Sequence, residues 1–320
     1  MSPKPTLSVA FSESDRTWSV LHGRAKLMNF ELEPQFLSVE DIFAKQIVEP
    51  VFDVAELSLS SYLIALNQGE KRLTAIPAFL SRAFRHNAIY VRSDSPYVHP
   101  SELKGCRFGF PEYQMTAAVW VRALFRHEWG IPNDAMEWIT FRPERLPIHS
   151  PAKRSETPDM FEALVNGEVE AVMSARRPPE RYFPRSGEGG TIRRLFPDVW
   201  QLERDYYRRT GIFPIMHLVS VKAETAEKYP SLPGDFYGLL LEQKDEAIDR
   251  MLETVKAEVA NPWLWESIEN AIGTMEDPWP YGVRSNWDQI ELFMSYLQED
   301  GLLDRKLAPE QVFHASVLTS

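Results

Sequence analysis

Two arginines and a histidine, Arg82, Arg85 and His86, fall within five residues of one another in the stretch Ala75 to Asn87. A guanidinium presents a rigid fork of donors that fits a carboxylate bidentately, and an imidazole titrates near neutral pH. The trio therefore reads as an anion clamp beside an acid/base group, although a solvated loop with surface arginines uses the same residue types. Four more segments carry polar side chains directly after a predicted strand: Ser12 to Thr17 with Arg16, Ser58 to Tyr62 with Ser60 and Ser61, Pro111 to Thr116 with Glu112 and Thr116, and Ser174 to Arg177 with Arg176. Free N–H groups at a helix start favour an anion and hydroxyls add donors, while the same Ser and Thr also serve as plain caps. Together they predict a cleft for an anionic ligand.

Other chemistry is poorly supported. Histidines stand at 22, 86, 99, 127, 149, 217 and 314 with no HxH, HxxxH or HExxH spacing, so no zinc or facial-triad iron site has a local signature. His217 follows the apolar run Ile212 to Met216 into a predicted strand, where a lone histidine is commonly a satisfied core residue. The single cysteine, Cys106, excludes an internal disulfide and a thiolate metal site. No GxSxG, Walker loop or GxGxxG is present, which removes the serine-hydrolase, P-loop and dinucleotide-binding readings.

The elements that must position these residues alternate. Strand-like runs at Leu7 to Phe11, Met28 to Leu32, Phe52 to Leu57, Leu73 to Ile76, Ala88 to Val91, Cys106 to Phe110, Met136 to Phe141 and Val169 to Met173 are interleaved with helical patterns at Asp41 to Val48, Tyr62 to Asn67, Thr116 to Trp129 and Met160 to Val165. The alternation predicts an α/β architecture with largely parallel sheets. Beyond residue 230 the pattern changes. Apolar positions 241, 248, 252, 255 and 259 predict one long helix from Asp235 to Val259, followed by a tail with Trp263, Trp265, Trp279 and Trp287 that is expected to pack into a core. Asp277 to Gly282 reads as a stiff turn able to cover a cleft.

Composition narrows the class. The chain has 320 residues, 44% apolar and 25% charged, with net charge −11, so it is globular and carries no positive field for nucleic acid or an anionic membrane. Only 15 glycines against 24 prolines disfavours glycine-rich phosphate cradles. No secretory leader and no membrane span is read, and the expectation is a cytoplasmic protein.

In Ser14-Asp15-Arg16-Thr17, Asp53 to Tyr62, Ala75 to Val91, Leu103-Lys104-Gly105, Gly109 to Arg122 and Thr210 to His217, the chain resembles the 4,5-dihydroxyphthalate decarboxylase family. The resemblance spans most of residues 6 to 222. The chain departs from the family at Thr140 to Arg145, where members carry a glycine-rich stretch. The family implies a two-lobed type II periplasmic-binding-protein-like fold, the second lobe inserted in the first: lobe I from residues 1–92 and 219–320, lobe II from 93–218, and a ligand cleft between them. It implies cofactor-independent loss of CO2 from a hydroxylated aromatic acid, 4,5-dihydroxyphthalate to 3,4-dihydroxybenzoate. Such a site needs a proton donor over the ring carbon, a group at the phenol, and cations on the retained carboxylate. On that basis His86, His217 and Glu112 are the acid/base candidates, and Arg16, Ser60, Ser61, Arg82, Arg85, Thr116 and Arg176 the substrate-binding ones, with no metal. Phe79, Phe84 and Phe110 are available as an apolar wall for the departing carboxylate. The expected partner is a small aromatic carboxylate, with no nucleic acid and no membrane, and assembly into a homo-oligomer stays open. Two alternatives remain: a non-enzymatic binding or sensor protein for an aromatic anion, and a metal-assisted decarboxylase with His86, His217 and Glu112 as non-local ligands.

Overall fold

The computed structural model describes residues 3–186, 189–253, 255–256 and 259–320. Its strands are β1 (Thr6–Ala10), β2 (Glu31–Pro34), β3 (Val54–Ser58), β4 (Leu73–Arg82), β5 (Ile89–Arg92), β6 (Arg107–Phe110), β7 (Glu137–Thr140), β8 (Lys153–Arg154), β9 (Ala171–Met173), β10 (Ile192–Arg194) and β11 (Ile215–Lys222). The chain divides into two compact units, each built from separated segments. Unit 1 takes Met1–Arg82, Ile215–Glu291 and Lys306–Ser320; unit 2 takes Ala83–Pro214 and Leu292–Arg305.

Unit 1 holds a five-stranded sheet in the order β2-β1-β3-β11-β4. β1 runs parallel to β2 and β3, while β11 runs antiparallel to both β3 and β4. Unit 2 holds a six-stranded sheet in the order β10-β5-β9-β6-β7-β8, with β6 parallel to β7 and β9 and with β5 antiparallel to β9 and β10. Each sheet is thus mixed rather than largely parallel. The α/β alternation is as expected; the strands that break the parallel order, β5 and β11, adjoin the passages from one unit to the other.

The longest departure from the expected elements is β4. The sequence ends this strand at Ile76, before a proline, yet the structure continues it to Arg82. Pro77 has no N–H to give a ladder, which confines it to an edge or a bulge, and β4 provides both. It is the sheet edge, and its register against β11 jumps from Ile76↔Val219 to Ser81↔His217. The carbonyls freed in the bulge find donors elsewhere in unit 1: Gly282 N–H on Pro77 O at 2.9 Å, Trp279 Nε1–H on Phe79 O at 2.8 Å, and Arg16 on Leu80 O at 3.2 Å. The turn at Asp277 to Gly282 is therefore fastened onto this bulge.

Two helices differ from expectation. The one starting at Thr116 is α-helical to Ala123 and continues as a π turn over Leu124–Glu128, closed by Trp129 N–H on Leu124 O at 3.1 Å. Gly130, at φ +65°, then stops it, a conformation glycine adopts without a Cβ penalty. The helix expected over 235–259 runs from Leu232 to Leu252, and residues 254, 257 and 258 of that prediction lie outside the described ones. The tryptophan tail is not uniformly core. Trp279 is half-buried, but Trp263 is 68% exposed and Trp265 is also exposed; the helix Leu264–Met275 buries none of its residues.

Candidate active site

In unit 1 the carboxyl ends of β1 and β3 point the same way, and β11 returns between β3 and β4 so that His217 lies directly across from Ser58 on one side and Ser81 on the other. Glu56 precedes Ser58 by two residues, on the same face of β3 by the alternation of a strand. Every residue of β3 is buried, Glu56 to 1% exposure. One of its oxygens stands 2.6 Å from His217 Nδ1; the other accepts the Ser12 N–H at 2.8 Å and the Ser12 hydroxyl in a short bond. Burial alone would push this carboxyl pKa up. The hydrogen bond and charge of His217, with the two Ser12 donors, hold it below the ordinary value. A carboxylate only accepts, so this contact suits a His217 ring with hydrogen on Nδ1, Nε2 being its other nitrogen. Phe43 meets the imidazole edge-on at 4.7 Å, and the side chain retains 21% exposure.

Cations and hydroxyls of unit 1 surround the same strand ends. Arg16 stacks on the Trp279 ring at 4.1 Å and pairs with Asp15, and its Nε has no hydrogen-bond partner among the described residues. Arg82 ends β4, buried, and donates to Asn286 Oδ1, to Pro280 O at 2.9 Å and to Gln289 at 3.3 Å. Tyr281 is buried in the field of Arg16, Arg82, Asp15 and Glu56; its hydroxyl, pushed up by burial, has no hydrogen-bond partner among the described residues. Ser60 and Ser61 are buried at the start of the helix Leu59–Asn67, their hydroxyls 3.4 and 3.3 Å from that of Ser58.

The other expected site residues belong to unit 2. Glu112 follows β6, is buried, and takes a 3.1 Å hydrogen bond from Arg145; burial pushes its pKa up against the pull of that arginine. The carboxylate that meets a histidine is thus Glu56, and Glu112 meets an arginine. Thr116 opens the helix Thr116–Ala123 and is buried, while Arg176 is exposed. Arg85 is buried, which pushes its guanidinium down to about 10 against the pull of Glu203.

His86 is 1% exposed and faces the rings of Trp129, Phe196 and Tyr206 at 6.0, 6.3 and 5.0 Å, with neither nitrogen hydrogen-bonded among the described residues. Burial pushes its pKa down to about 4. Two rings of the expected apolar wall are likewise core, Phe79 packed on Tyr281 and Phe313 and Phe110 on Phe108 and Trp138, while the third, Phe84, is half-buried against Tyr206 and Phe213.

The residues that sequence reasoning missed are Glu56, Ser12 and Tyr281. A signal for the first was present. A carboxylate within Val54-Ala55-Glu56-Leu57, in a run otherwise apolar enough for a buried strand, must have a partner or forfeit its charge. Among the described residues no group of three or more His, Cys, Asp or Glu is placed to hold a metal ion.

No family model matches the chain. Among curated proteins, a 4,5-dihydroxyphthalate decarboxylase of Comamonas testosteroni is 32% identical over 99% of the chain and 98% of its own length. One from Pseudomonas putida is 34% identical over 55% of the chain and 72% of its own length. Among solved structures, the periplasmic aliphatic sulphonate binding protein SsuA of Escherichia coli superposes with a TM-score of 0.57 at 14% identity, over 98% of the chain and 92% of that protein. The alkanesulfonate-binding protein SsuA of Xanthomonas axonopodis pv. citri gives 0.55 at 13% identity, over 98% of each. At such identity the structural likeness establishes the fold, that of periplasmic binding proteins, and carries no ligand with it.

Proposed function

The chain belongs to the 4,5-dihydroxyphthalate decarboxylase family, and from that premise we propose that it converts 4,5-dihydroxyphthalate to 3,4-dihydroxybenzoate and CO2 with His217 as the proton donor. The observation that carries the choice of residue is the buried Glu56 carboxylate 2.6 Å from His217 Nδ1. A histidine backed by a carboxylate is oriented and electrostatically supported as it cycles between imidazolium and imidazole. His86 has no such partner among the described residues and is held neutral by burial among aromatic rings, so it has no part in this reading.

In the reaction each carboxylate of the substrate stands para to a hydroxyl, whose oxygen pushes electron density onto the carbon bearing that carboxylate. The proton on His217 Nε2 is delivered to this carbon, a C–H bond forms, and the ring becomes dienone-like. The C–C bond to the carboxylate then breaks, its electron pair returns to the ring, and CO2 departs. His217 recovers a proton from solvent. The retained carboxylate falls to Arg16, whose Nε has no hydrogen-bond partner among the described residues and whose guanidinium is held in place by Trp279, with Tyr281 as a further donor. Ser60 and Ser61 supply hydroxyls at a helix start for the ring oxygens. Breakdown of phthalates and a cytoplasmic location belong to the same proposal. Among the described residues no helix is long and apolar enough to cross a membrane, and cell fractionation tests the location.

The deciding experiment incubates purified protein with 4,5-dihydroxyphthalate, with and without a chelator, and follows 3,4-dihydroxybenzoate by chromatography. Product in both arms, abolished in His217→Gln and kept in His86→Phe, is the expected result. Product lost on chelation and restored by one metal overturns the proton-transfer route. A rise in melting temperature without product makes the protein a binder of this anion rather than an enzyme.

A further inference from the structure

We propose that Glu56 is the positioning residue of this site: it fixes the His217 imidazole in the tautomer with hydrogen on Nδ1, so that Nε2 is the nitrogen that exchanges a proton with the substrate. The assignment of a catalytic task to Nε2 rests on the reading above; the tautomer itself does not.

The argument is one of occupancy on a rigid frame. Glu56 sits inside a strand whose every residue is buried, where an unpaired carboxylate would be costly. Its charge is met by donors on both oxygens. Ser12 supplies two of them, the backbone N–H at 2.8 Å and the hydroxyl, both on the same oxygen. That leaves the second oxygen to His217 Nδ1 at 2.6 Å. Since a carboxylate has no hydrogen of its own to give, and Nδ1 is within bonding distance of it, only the Nδ1–H form makes a favourable contact. The neighbours cannot easily yield: Glu56 and His217 lie on adjacent paired strands, with Phe43 edge-on to the ring at 4.7 Å.

Glutamine at 56 would keep the shape and reverse the logic. Its carbonyl oxygen would take the Ser12 N–H, turning the amide NH2 towards Nδ1. The imidazole would then have to present a bare Nδ1 and move its proton to Nε2. The neutral ring in that tautomer has no lone pair on the nitrogen that must recover a proton after each turnover, and no negative charge steadies the imidazolium. Loss of one general acid/base contribution lowers rate by about 10²–10⁴-fold.

The test compares wild type with Glu56→Gln by two readouts. Long-range 1H–15N spectra of histidine-labelled protein, with the His217 signal assigned by its absence in His217→Gln, report which ring nitrogen carries hydrogen. Steady-state kinetics on 4,5-dihydroxyphthalate report kcat and KM separately. Expected are hydrogen on Nδ1 in wild type, hydrogen on Nε2 alone in Glu56→Gln, and a kcat lower by about a hundredfold or more with KM within about threefold. A wild-type His217 with bare Nδ1 overturns the proposal without any variant, which also covers the case of a Glu56→Gln chain that does not fold. A Glu56→Gln protein that keeps hydrogen on Nδ1, or that keeps wild-type kcat, overturns it as well. If the tautomer changes as expected but the wild type shows no turnover, positioning stands and the substrate assignment falls.

Discussion

Replacing His86 with phenylalanine should make the protein resist acid without slowing it. The imidazole is enclosed by three aromatic rings with no hydrogen-bond partner for either nitrogen among the described residues. A charge there would be desolvated, and burial holds the pKa to about 4, against an ordinary 6.5. The unfolded chain therefore takes up this proton before the folded one does. Stability is whole above pH 6.5 and drains away as the pH falls towards 4. For a single buried group with these two values, the loss is about 2 kcal/mol at pH 5 and about 3 kcal/mol below pH 4. Phenylalanine does not titrate and suits a nest of Trp129, Phe196 and Tyr206. Denaturant unfolding of both proteins at about pH 8, 6 and 5 measures the effect, and the stability gap should move in favour of the variant by about 2 kcal/mol across that range. Glu203 works in the opposite sense: burial raises its carboxyl to about 7, so the fold gains as pH drops through 7 towards 4.5. It is present in both proteins and cancels in the difference. Turnover at neutral pH should stay within about twofold, since general acid/base catalysis is assigned to His217. A gap that does not change with pH, or a folded variant that loses turnover a hundredfold, would refute the reasoning.

The remaining predictions touch other parts of the molecule. Arg16→Met, which keeps an apolar stem on Trp279, should raise KM about tenfold or more through loss of a charged hydrogen bond of about 1.5–3 kcal/mol, with kcat less affected; an unchanged KM would remove Arg16 from carboxylate binding. Asp300→Ala should cost about 3–5 kcal/mol, because it strands the fully buried Arg122, whose Nε and one terminal nitrogen both bind Asp300 at 2.9 and 2.6 Å; chemical denaturation measures it, and a cost under about 1 kcal/mol would contradict the pairing. Glu203→Gln keeps an acceptor for the Asn87 N–H and removes a desolvated charge, so it should stabilise by about 1 kcal/mol above pH 7 and by less as the pH falls, again read from unfolding curves.

How far the sequence could be read depended on the range of the physics involved. Strand and helix periodicities are local, and β1, β3, β6 and the helix Thr116–Ala123 fall where alternation or a 3.6-residue period puts them. Pro77 misled that reading, because a proline argues against a strand unless one knows that the strand is an edge with Gly282, Trp279 and Arg16 waiting to use its bulged carbonyls. Candidate residues at strand ends were legible as types, and Arg16, Ser60, Ser61 and His217 gather in unit 1. What periodicity cannot show is which partner a side chain finds. Glu56 and His217 are 161 positions apart, and only the register of β11 beside β3 brings them together. The close Arg82–Arg85–His86 spacing was a poor guide for the opposite reason: a chain passing from one unit to the next sends neighbouring side chains into different surroundings, Arg82 onto Asn286 and His86 among aromatic rings.

The pairing of Arg122 with Asp300 also has a consequence in time. The two residues are 178 positions apart, and unit 2 is completed only by Leu292–Arg305. During synthesis the helix Thr116–Ala123 emerges long before its counter-ion does, with a guanidinium that in the finished fold lies under Tyr113 at 3.7 Å. A buried cation without its anion is several kcal/mol unfavourable, so the nascent second unit has reason to stay open until the segment bearing Asp300 arrives. The ion pair thereby ties closure of the unit's core around this helix to the arrival of Leu292–Arg305, the segment that carries Asp300.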